Sequence, residues 1–161
     1  MEKWDAYDSK MNKVKDVTLI RGEEIPDGYF HLCSEIIVRH KDGSYLLMQR
    51  DERKHQGGKW EATAGGSAVQ DEDAMACAVR ELREETGIES LNLIEIGRVI
   101  HHLHKSIYVE YLCDTDVKKD SIILQEGETQ DYKWVNASEL RSMTREQLAT
   151  SRILNLIDEL K

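Results

Sequence analysis

One glycine-flanked stretch constrains the fold of this chain more than any other. It opens with a glycine pair at 65–66, which suits a tight turn, and closes at Gly87, a typical residue at which a helix stops. Asp71 is a typical N-cap residue, and Glu72 and Asp73 follow it where the positive end of the helix macrodipole favours negative charge. The pattern therefore predicts a glycine turn followed by a helix that ends at Gly87.

Three glutamates of this predicted helix share one face. At about 100° per residue, Glu81, Glu84 and Glu85 fall within a wedge of roughly 100°. Like charges so placed cost about a few tenths of a kcal/mol per pair, whereas Mg2+ or Mn2+ would bind between such carboxylates and the phosphates of a substrate. Arg80 can fix the rotamer of Glu84 through its planar guanidinium. The spacing therefore predicts a divalent metal site for a diphosphate.

The charge balance limits the class of partner. The chain carries 31 acidic and 22 basic residues, for a formal net charge of −9. Nucleic-acid binding depends on clustered lysine and arginine, so this composition argues against a nucleic-acid partner. A polyphosphate would have to be attracted locally, by metal and a few cations, because the overall field repels it.

Length and composition indicate one domain over residues 1–161, in the cytoplasm. Its cysteines, Cys33, Cys77 and Cys113, form no CxxC spacing and are expected to be reduced. No apolar run approaches the roughly 18 residues of a membrane span, and the N-terminus is too polar for a signal peptide. We therefore expect no membrane partner.

The remaining sequence predicts strands interleaved with helices. Strands are expected at 4–7, 14–19, 29–39, 45–49, 60–62, 91–102, 106–114 and 130–135, with a hairpin turn at 41–44. Further helices are expected at 138–142 and 145–160, the second with an apolar face formed by Leu148, Ile153, Leu156, Ile157 and Leu160. This order indicates an α/β sandwich with helices on both faces of the sheet.

Residues 66–88, GSAVQDEDAMACAVRELREETGI, resemble the Nudix box at every defined position. These positions are Gly66, Glu72, Arg80, Glu81, Leu82, Glu84, Glu85, Gly87 and Ile88. The resemblance implies an α/β/α sandwich around a mixed β-sheet. It also implies hydrolysis of the phosphoanhydride of a nucleoside diphosphate linked to another group, by attack of water that Mg2+ or Mn2+ activates.

The resemblance also implies roles for individual residues. It makes Glu84 and Glu85 metal ligands, Glu81 a ligand or the general base, and the backbone carbonyl of Gly65 or Gly66 a further ligand. Many members use one more carboxylate from a loop shortly before a tryptophan. The candidates here for this ligand or general base are Glu128, six residues before Trp134, and secondarily Glu126.

Substrate contacts are expected before the box. Arg50 and Lys54 concentrate positive charge there in an acidic protein, and Trp60 could stack a base. His31 is expected in the core or at the edge of the pocket rather than as a ligand. The implied partner is a small-molecule diphosphate, and a homodimer is compatible with the resemblance.

The flanks narrow the resemblance to the branch of Nudix proteins related to isopentenyl-diphosphate isomerase. The segments WDAYD, GYFHLCSEIIV and LLMQRDERKHQGGKWEATAGG carry it. However, Gly65 stands where the isomerase has its catalytic cysteine, and Ser67 where it has a metal-binding histidine. An isomerase and a non-catalytic nucleotide sensor are the alternatives, although sensors tend to lose the box glutamates that are intact here.

Overall fold

A computed structural model describes residues 1–160. The strands in this part of the chain are β1 Lys3–Tyr7, β2 Lys13–Ile20, β3 His31–His40, β4 Tyr45–Arg50, β5 Trp60–Glu61, β6 Ala64–Ser67, β7 Leu93–His101, β8 Ser106–Thr115 and β9 Thr129–Val135. The helices are α1 Ala74–Thr86, α2 Ala137–Ser142 and α3 Arg152–Glu159. All eight predicted strands are present, with ends shifted by at most two residues, and β6 is an additional strand.

The main sheet is mixed, as predicted. Its strands follow the order β5-β4-β3-β8-β7, while β6 pairs with β3 and β9 pairs with β4. The β3–β8 pair is parallel, whereas the other pairs in this sheet are antiparallel. Strands β1 and β2 form a separate two-stranded antiparallel sheet.

Helices cover both faces of the main sheet, which confirms the α/β/α sandwich. Successive residues of a strand point to opposite faces, so Ile36 and Ile37 of β3 belong to different apolar clusters. The cluster that includes Ile36 packs against Leu82 of α1. The cluster that includes Ile37 packs against Leu140 of α2 and Ile153 of α3.

Helix α1 begins two residues later than the sequence predicts. Asp73, not Asp71, is the N-cap, and its side chain accepts a hydrogen bond from the Ala76 N–H at 2.7 Å. Asp71 instead has a positive φ of 67°, and its N–H donates to Asp5 at 2.9 Å. The prediction for the C-terminal end is confirmed, because Gly87 caps the helix in the left-handed conformation with φ 77°.

Two further predictions are wrong. The expected turn at 65–66 is strand β6, which pairs with β3 in antiparallel register. The predicted helix over 145–160 is helical only from Arg152 onward. The preceding segment runs beside Trp60, whose N–H and C=O bond to Gln147 and Ala149 at 2.8 Å each, so these backbone groups are not free for a helix.

Two further observations bear on the sequence predictions. Cys33, Cys77 and Cys113 are all buried and free, as the lack of CxxC spacing predicted. None of the helices within residues 1–160 is long and apolar enough to cross a membrane.

Candidate active site

Two adjoining cavities meet at strand β6. The α1 cavity, of about 320 Å³, is lined by Glu2, Arg21, Lys54, Gly65, Gly66, Ser67, Val69, Arg80, Glu81, Glu84, Glu85, Gln125 and Glu128. The β3 cavity has a volume of about 430 Å³, and its polar lining includes His31, Cys33, Glu35, Arg50, Glu61, Ser106, Tyr108 and Arg152. Both cavities share Arg21, Lys54, Gly65, Gly66, Ser67 and Glu85. A substrate could therefore span both.

The predicted carboxylates converge in the α1 cavity. Glu85 is 7% exposed, and burial raises its pKa well above the usual value, with further contributions from the charges of Glu81 and Glu61. Burial also raises the pKa of Glu81. Glu84 lies nearer the solvent, with a side chain that is 38% exposed. Acidic groups that are desolvated and close together favour a bound cation.

These carboxylates are not already arranged as a closed metal cluster. Among residues 1–160, no three His, Cys, Asp or Glu side chains have that arrangement. Cations of the protein hold several of the oxygens instead, since Arg80 contacts Glu81 and Glu84, and Lys54 forms an ion pair with Glu128. The donor set is nevertheless all oxygen and fits Mg2+ or Mn2+, which commonly share protein carboxylates with substrate phosphates.

Arg80 is the centre of an ion-pair network on α1. Its guanidinium donates to Glu72 at 2.8 and 2.9 Å, to Glu81 at 2.7 Å and to the Ser67 carbonyl at 3.1 Å. A longer contact of 3.3 Å reaches Glu84. Arg80 therefore fixes the carboxylate of Glu81 more directly than that of Glu84. Glu72, predicted to lie at the helix terminus and in the box, anchors this arginine.

The two glycines of β6 are required by close contacts. A Cβ on Gly66 would lie 2.4 Å from Glu81 Oε1, and a Cβ on Gly65 would lie 2.8 Å from the Ser34 carbonyl oxygen. The space that the catalytic cysteine of an isomerase would need at position 65 is therefore taken by the backbone of β3. The Gly66 carbonyl, a predicted ligand, accepts a weak hydrogen bond from the Cys77 thiol at 3.5 Å.

The predicted substrate contacts are brought together only in part. Arg50 and Lys54 line the β3 cavity, but Arg50 is already paired with Glu61 at 2.8 Å. Trp60 lines neither cavity. Its ring packs on the α2–α3 side of the sheet and carries Lys133 Nζ at 4.2 Å from its centroid, so the structure does not bring it to the site. Glu126 is likewise outside both linings.

Sequence reasoning missed most of the β3 cavity. His31, Cys33 and Glu35 occupy alternate positions of β3 and therefore point to the same face. Burial lowers the pKa of His31 to about 4 and raises the pKa of the Cys33 thiol to about 11, so both are neutral near pH 7. The signal that could have revealed this floor is the alternation of polar residues within an apolar strand. No local signal indicates Arg152 of α3.

The family assignment rests on a domain match. The NUDIX domain model matches residues 30–156, which is most of the chain. This chain belongs to the Nudix family. It is accordingly a Nudix hydrolase, an enzyme that acts on acid anhydrides, and divalent metal dependence is typical of the family.

Individual Nudix proteins resemble the chain over different lengths. The uncharacterized Nudix hydrolase lmo0368 of Listeria monocytogenes is 27% identical over 148 residues, which cover 89% of this chain and 85% of that protein. The CTP pyrophosphohydrolase of Escherichia coli is 42% identical over 74 residues, which cover 42% of this chain and 54% of that enzyme. The crystal structure of DR0079 from Deinococcus radiodurans superposes with a TM-score of 0.78 at 16% identity, covering 99% and 100% of the two chains, which shows a shared fold.

Proposed function

We propose that this Nudix hydrolase cleaves the phosphoanhydride bond of a small nucleoside diphosphate derivative, with the diphosphate lying where the two cavities meet. The observation that carries the proposal is the convergence of Glu81, Glu84 and Glu85 beside Lys54. Desolvated carboxylates alone would repel a diphosphate, so a divalent cation must lie between them.

The residues that would hold Mg2+ or Mn2+ are Glu81, Glu84, Glu85, Glu128 and the carbonyl of Gly66. When bound, the metal would neutralise negative charge on the phosphoryl group and lower the pKa of water at the site. This assignment is supported by the raised pKa of Glu85, since metal charge would offset its unfavourable burial. Lys54 adds a positive charge on the diphosphate side of the same cavity.

We assign to Glu81 the removal of a proton from the attacking water, with Glu128 as the second candidate. A general base must be held in place and must have a pKa near the working pH. Arg80 donates to the Glu81 carboxylate at 2.7 Å and so holds it in place, and burial raises the pKa of Glu81 above its usual value, which favours uptake of a proton. Arg80 acts through Glu81 and is therefore a positioning residue.

The partners follow from the charge balance and the size of the site. The net charge of −9 supports a small-molecule substrate rather than a nucleic acid. Three predictions from the sequence are kept as proposals. They are a single domain over residues 1–161, a cytoplasmic location, and a homodimer as one compatible oligomeric state. The branch related to isopentenyl-diphosphate isomerase also remains a prediction, and an isomerase activity is disfavoured by the contact of Gly65 with β3.

A phosphate-release screen tests the proposed function. Nucleoside di- and triphosphates, sugar nucleotides, dinucleotides and isopentenyl diphosphate are incubated with and without Mg2+, and the products are identified by mass. We expect metal-dependent cleavage of at least one nucleotide, reduced at least a hundredfold in Glu84→Gln. The exposed Glu89→Gln is the matched control and should retain activity. Hydrolysis of no compound, or isomerisation of isopentenyl diphosphate without phosphate release, contradicts the proposal.

A further inference from the structure

The floor of the β3 cavity is a row of polar residues on one face of the β3–β8 pair. In the parallel pairing of β3 with β8, His31 lies opposite Ser106 and Cys33 lies opposite Tyr108. His31 Nε2 and Ser106 Oγ are 2.7 Å apart and share a hydrogen bond. Further along the same face, Ile37 and Leu112 return to the apolar cluster beneath α3. On this face of β3 and β8 the polar residues therefore precede Ile37 and Leu112 along the strands, and Glu110 lies opposite Glu35.

Arg152 of α3 joins this floor through Glu35. Its Nη2 lies 3.1 Å from Glu35 Oε2, and its guanidinium lies 4.1 Å from the centroid of the Tyr108 ring. The Glu35 side chain is only 10% exposed. A charged pair so deeply buried is costly unless its remaining polar atoms are bonded.

One polar atom of this pair lacks such a bond. Among residues 1–160, Arg152 Nε is a buried side-chain atom without a hydrogen-bond partner, whereas Glu35 Oε2 makes the 3.1 Å ion-pair contact with Arg152 Nη2 but no hydrogen bond of ordinary geometry. Both residues line the cavity. An acceptor beside a donor matches a ligand group that presents a hydroxyl hydrogen next to a hydroxyl oxygen.

The place of Glu35 in the sheet indicates which part of a substrate it would meet. Glu35 lies opposite Gly65 in the β3–β6 pairing, about one strand spacing of 4.8 Å away. Gly65 borders both cavities. In nucleotides and sugar nucleotides, the group bonded directly to the diphosphate is a sugar, and the base lies farther away. The sugar is therefore the part nearest to Glu35.

The cavity offers hydrogen bonds more readily than stacking surfaces. The ring of Tyr108 has one face covered by Arg152, and the ring of His31 stacks on Trp4 at 4.2 Å. A nucleobase is commonly held by a free aromatic face, whereas sugar hydroxyls are held by carboxylates and guanidinium groups.

We propose that Glu35 and Arg152 recognise neighbouring hydroxyl groups of the sugar attached to the diphosphate, with Glu35 accepting one hydrogen bond and Arg152 donating another. The pair thereby determines which sugar the candidate active site accepts. This inference rests on the proposed hydrolase function. The sugar is either the ribose of a nucleotide or the hexose of a sugar nucleotide.

Paired substrates test this inference and separate the two sugars. We compare kcat/KM for CTP against 2′,3′-dideoxy-CTP, and for UDP-glucose against its 2-deoxyglucose analogue. The wild type should prefer the hydroxylated member of one pair by at least about tenfold, because a site built to bond a hydroxyl rejects the analogue that lacks it. Glu35→Gln should reduce that preference to about threefold or less, with little change for the deoxy member. The pair that responds identifies the sugar.

Arg152→Lys is the second variant, in case Glu35→Gln does not fold. Lysine keeps the charge but lacks the Nε donor, so the same loss of preference is expected. The exposed Arg145→Lys is the matched control. Equal rates within both pairs, an unchanged preference in both variants, or no hydrolysis of all four compounds overturns the inference. If the rates within each pair are equal but depend on metal, only the sugar inference fails and the proposed hydrolase function stands. If the phosphate-release screen also finds no substrate, the proposed function fails as well.

Discussion

The carboxylate of Glu81 lies where a side chain on Gly66 would have to be. A Cβ at position 66 would be 2.4 Å from Glu81 Oε1, well inside the van der Waals distance. The strand that enters the box and the helix that carries its glutamates are thereby joined at the candidate metal site. Glycine at this position is required by the geometry of the site.

Gly66→Ala is expected to lower activity more than stability. The added methyl group meets the end of a flexible side chain, so Glu81 can move away, but it then leaves its place beside Arg80. We expect kcat to fall at least tenfold with little change in Tm. Gly65→Ala provides the contrast, because its methyl group would meet the Ser34 carbonyl of β3 and should lower Tm. Normal activity in Gly66→Ala would contradict the proposed position of Glu81.

Arg80→Lys should reduce both activity and stability. A lysine cannot reproduce the bonds of the guanidinium to Glu72, Glu81 and the Ser67 carbonyl, and it would leave partly buried carboxylates without donors. We expect a loss of about 1–3 kcal/mol in the free energy of unfolding and at least tenfold in kcat. The control is Arg83→Lys, an exposed arginine in the last turn of α1. Equal effects of the two substitutions would argue against the network.

Glu85→Gln should abolish metal-dependent turnover without weakening the fold. The folded state raises the pKa of Glu85, so its ionised form destabilises the metal-free protein above the unfolded pKa of about 4.5. Removing that charge should leave Tm at pH 7.5 unchanged or higher. In calorimetric scans, Mg2+ should raise the Tm of the wild type but not that of the variant. A lower Tm of the metal-free variant would show that Glu85 has a different structural role.

His31 should make stability depend on pH below neutrality. Burial lowers its pKa from 6.5 to about 4, so the unfolded state binds the proton more tightly than the folded state. Its contribution to stability is complete above pH 6.5 and is lost as the pH falls through 4. His31→Gln can retain the bond to Ser106 but does not titrate. Between pH 7.5 and 4.5, urea unfolding should show the wild type losing about 2 kcal/mol more than this variant. Parallel curves would rule out a buried neutral histidine.

The sequence was sufficient to predict which residues of α1 share a face, but not the residue at which α1 begins. Glu81, Glu84 and Glu85 converge because helical geometry fixes side chains three and four residues apart. The N-cap was ambiguous because Asp71 and Asp73 are both typical cap residues. The contact of Asp71 with Asp5, in a distant strand, excludes Asp71 from the helix. Such a contact has no local signature.

The β3 cavity shows the same limit more strongly. The alternation of His31, Cys33 and Glu35 was visible in the sequence, but its meaning depends on β8 and α3. Arg152 lies near the C-terminal end of the chain, far in sequence from Glu35, and the two meet only through the tertiary fold. The apolar spacing over 145–160 was also ambiguous as a sign of helix. Leu148 is buried, but it lies in a loop that forms a β-bridge with Trp60 and not in a helix.

The most direct test of the central claim is the anomalous scattering of Mn2+ in crystals of the wild-type protein. We expect a Mn2+ peak in the α1 cavity, with oxygens of Glu81, Glu84 or Glu85 at distances typical of metal ligands. A peak elsewhere, or no peak in this cavity at millimolar Mn2+, would contradict the claim that these carboxylates hold the metal.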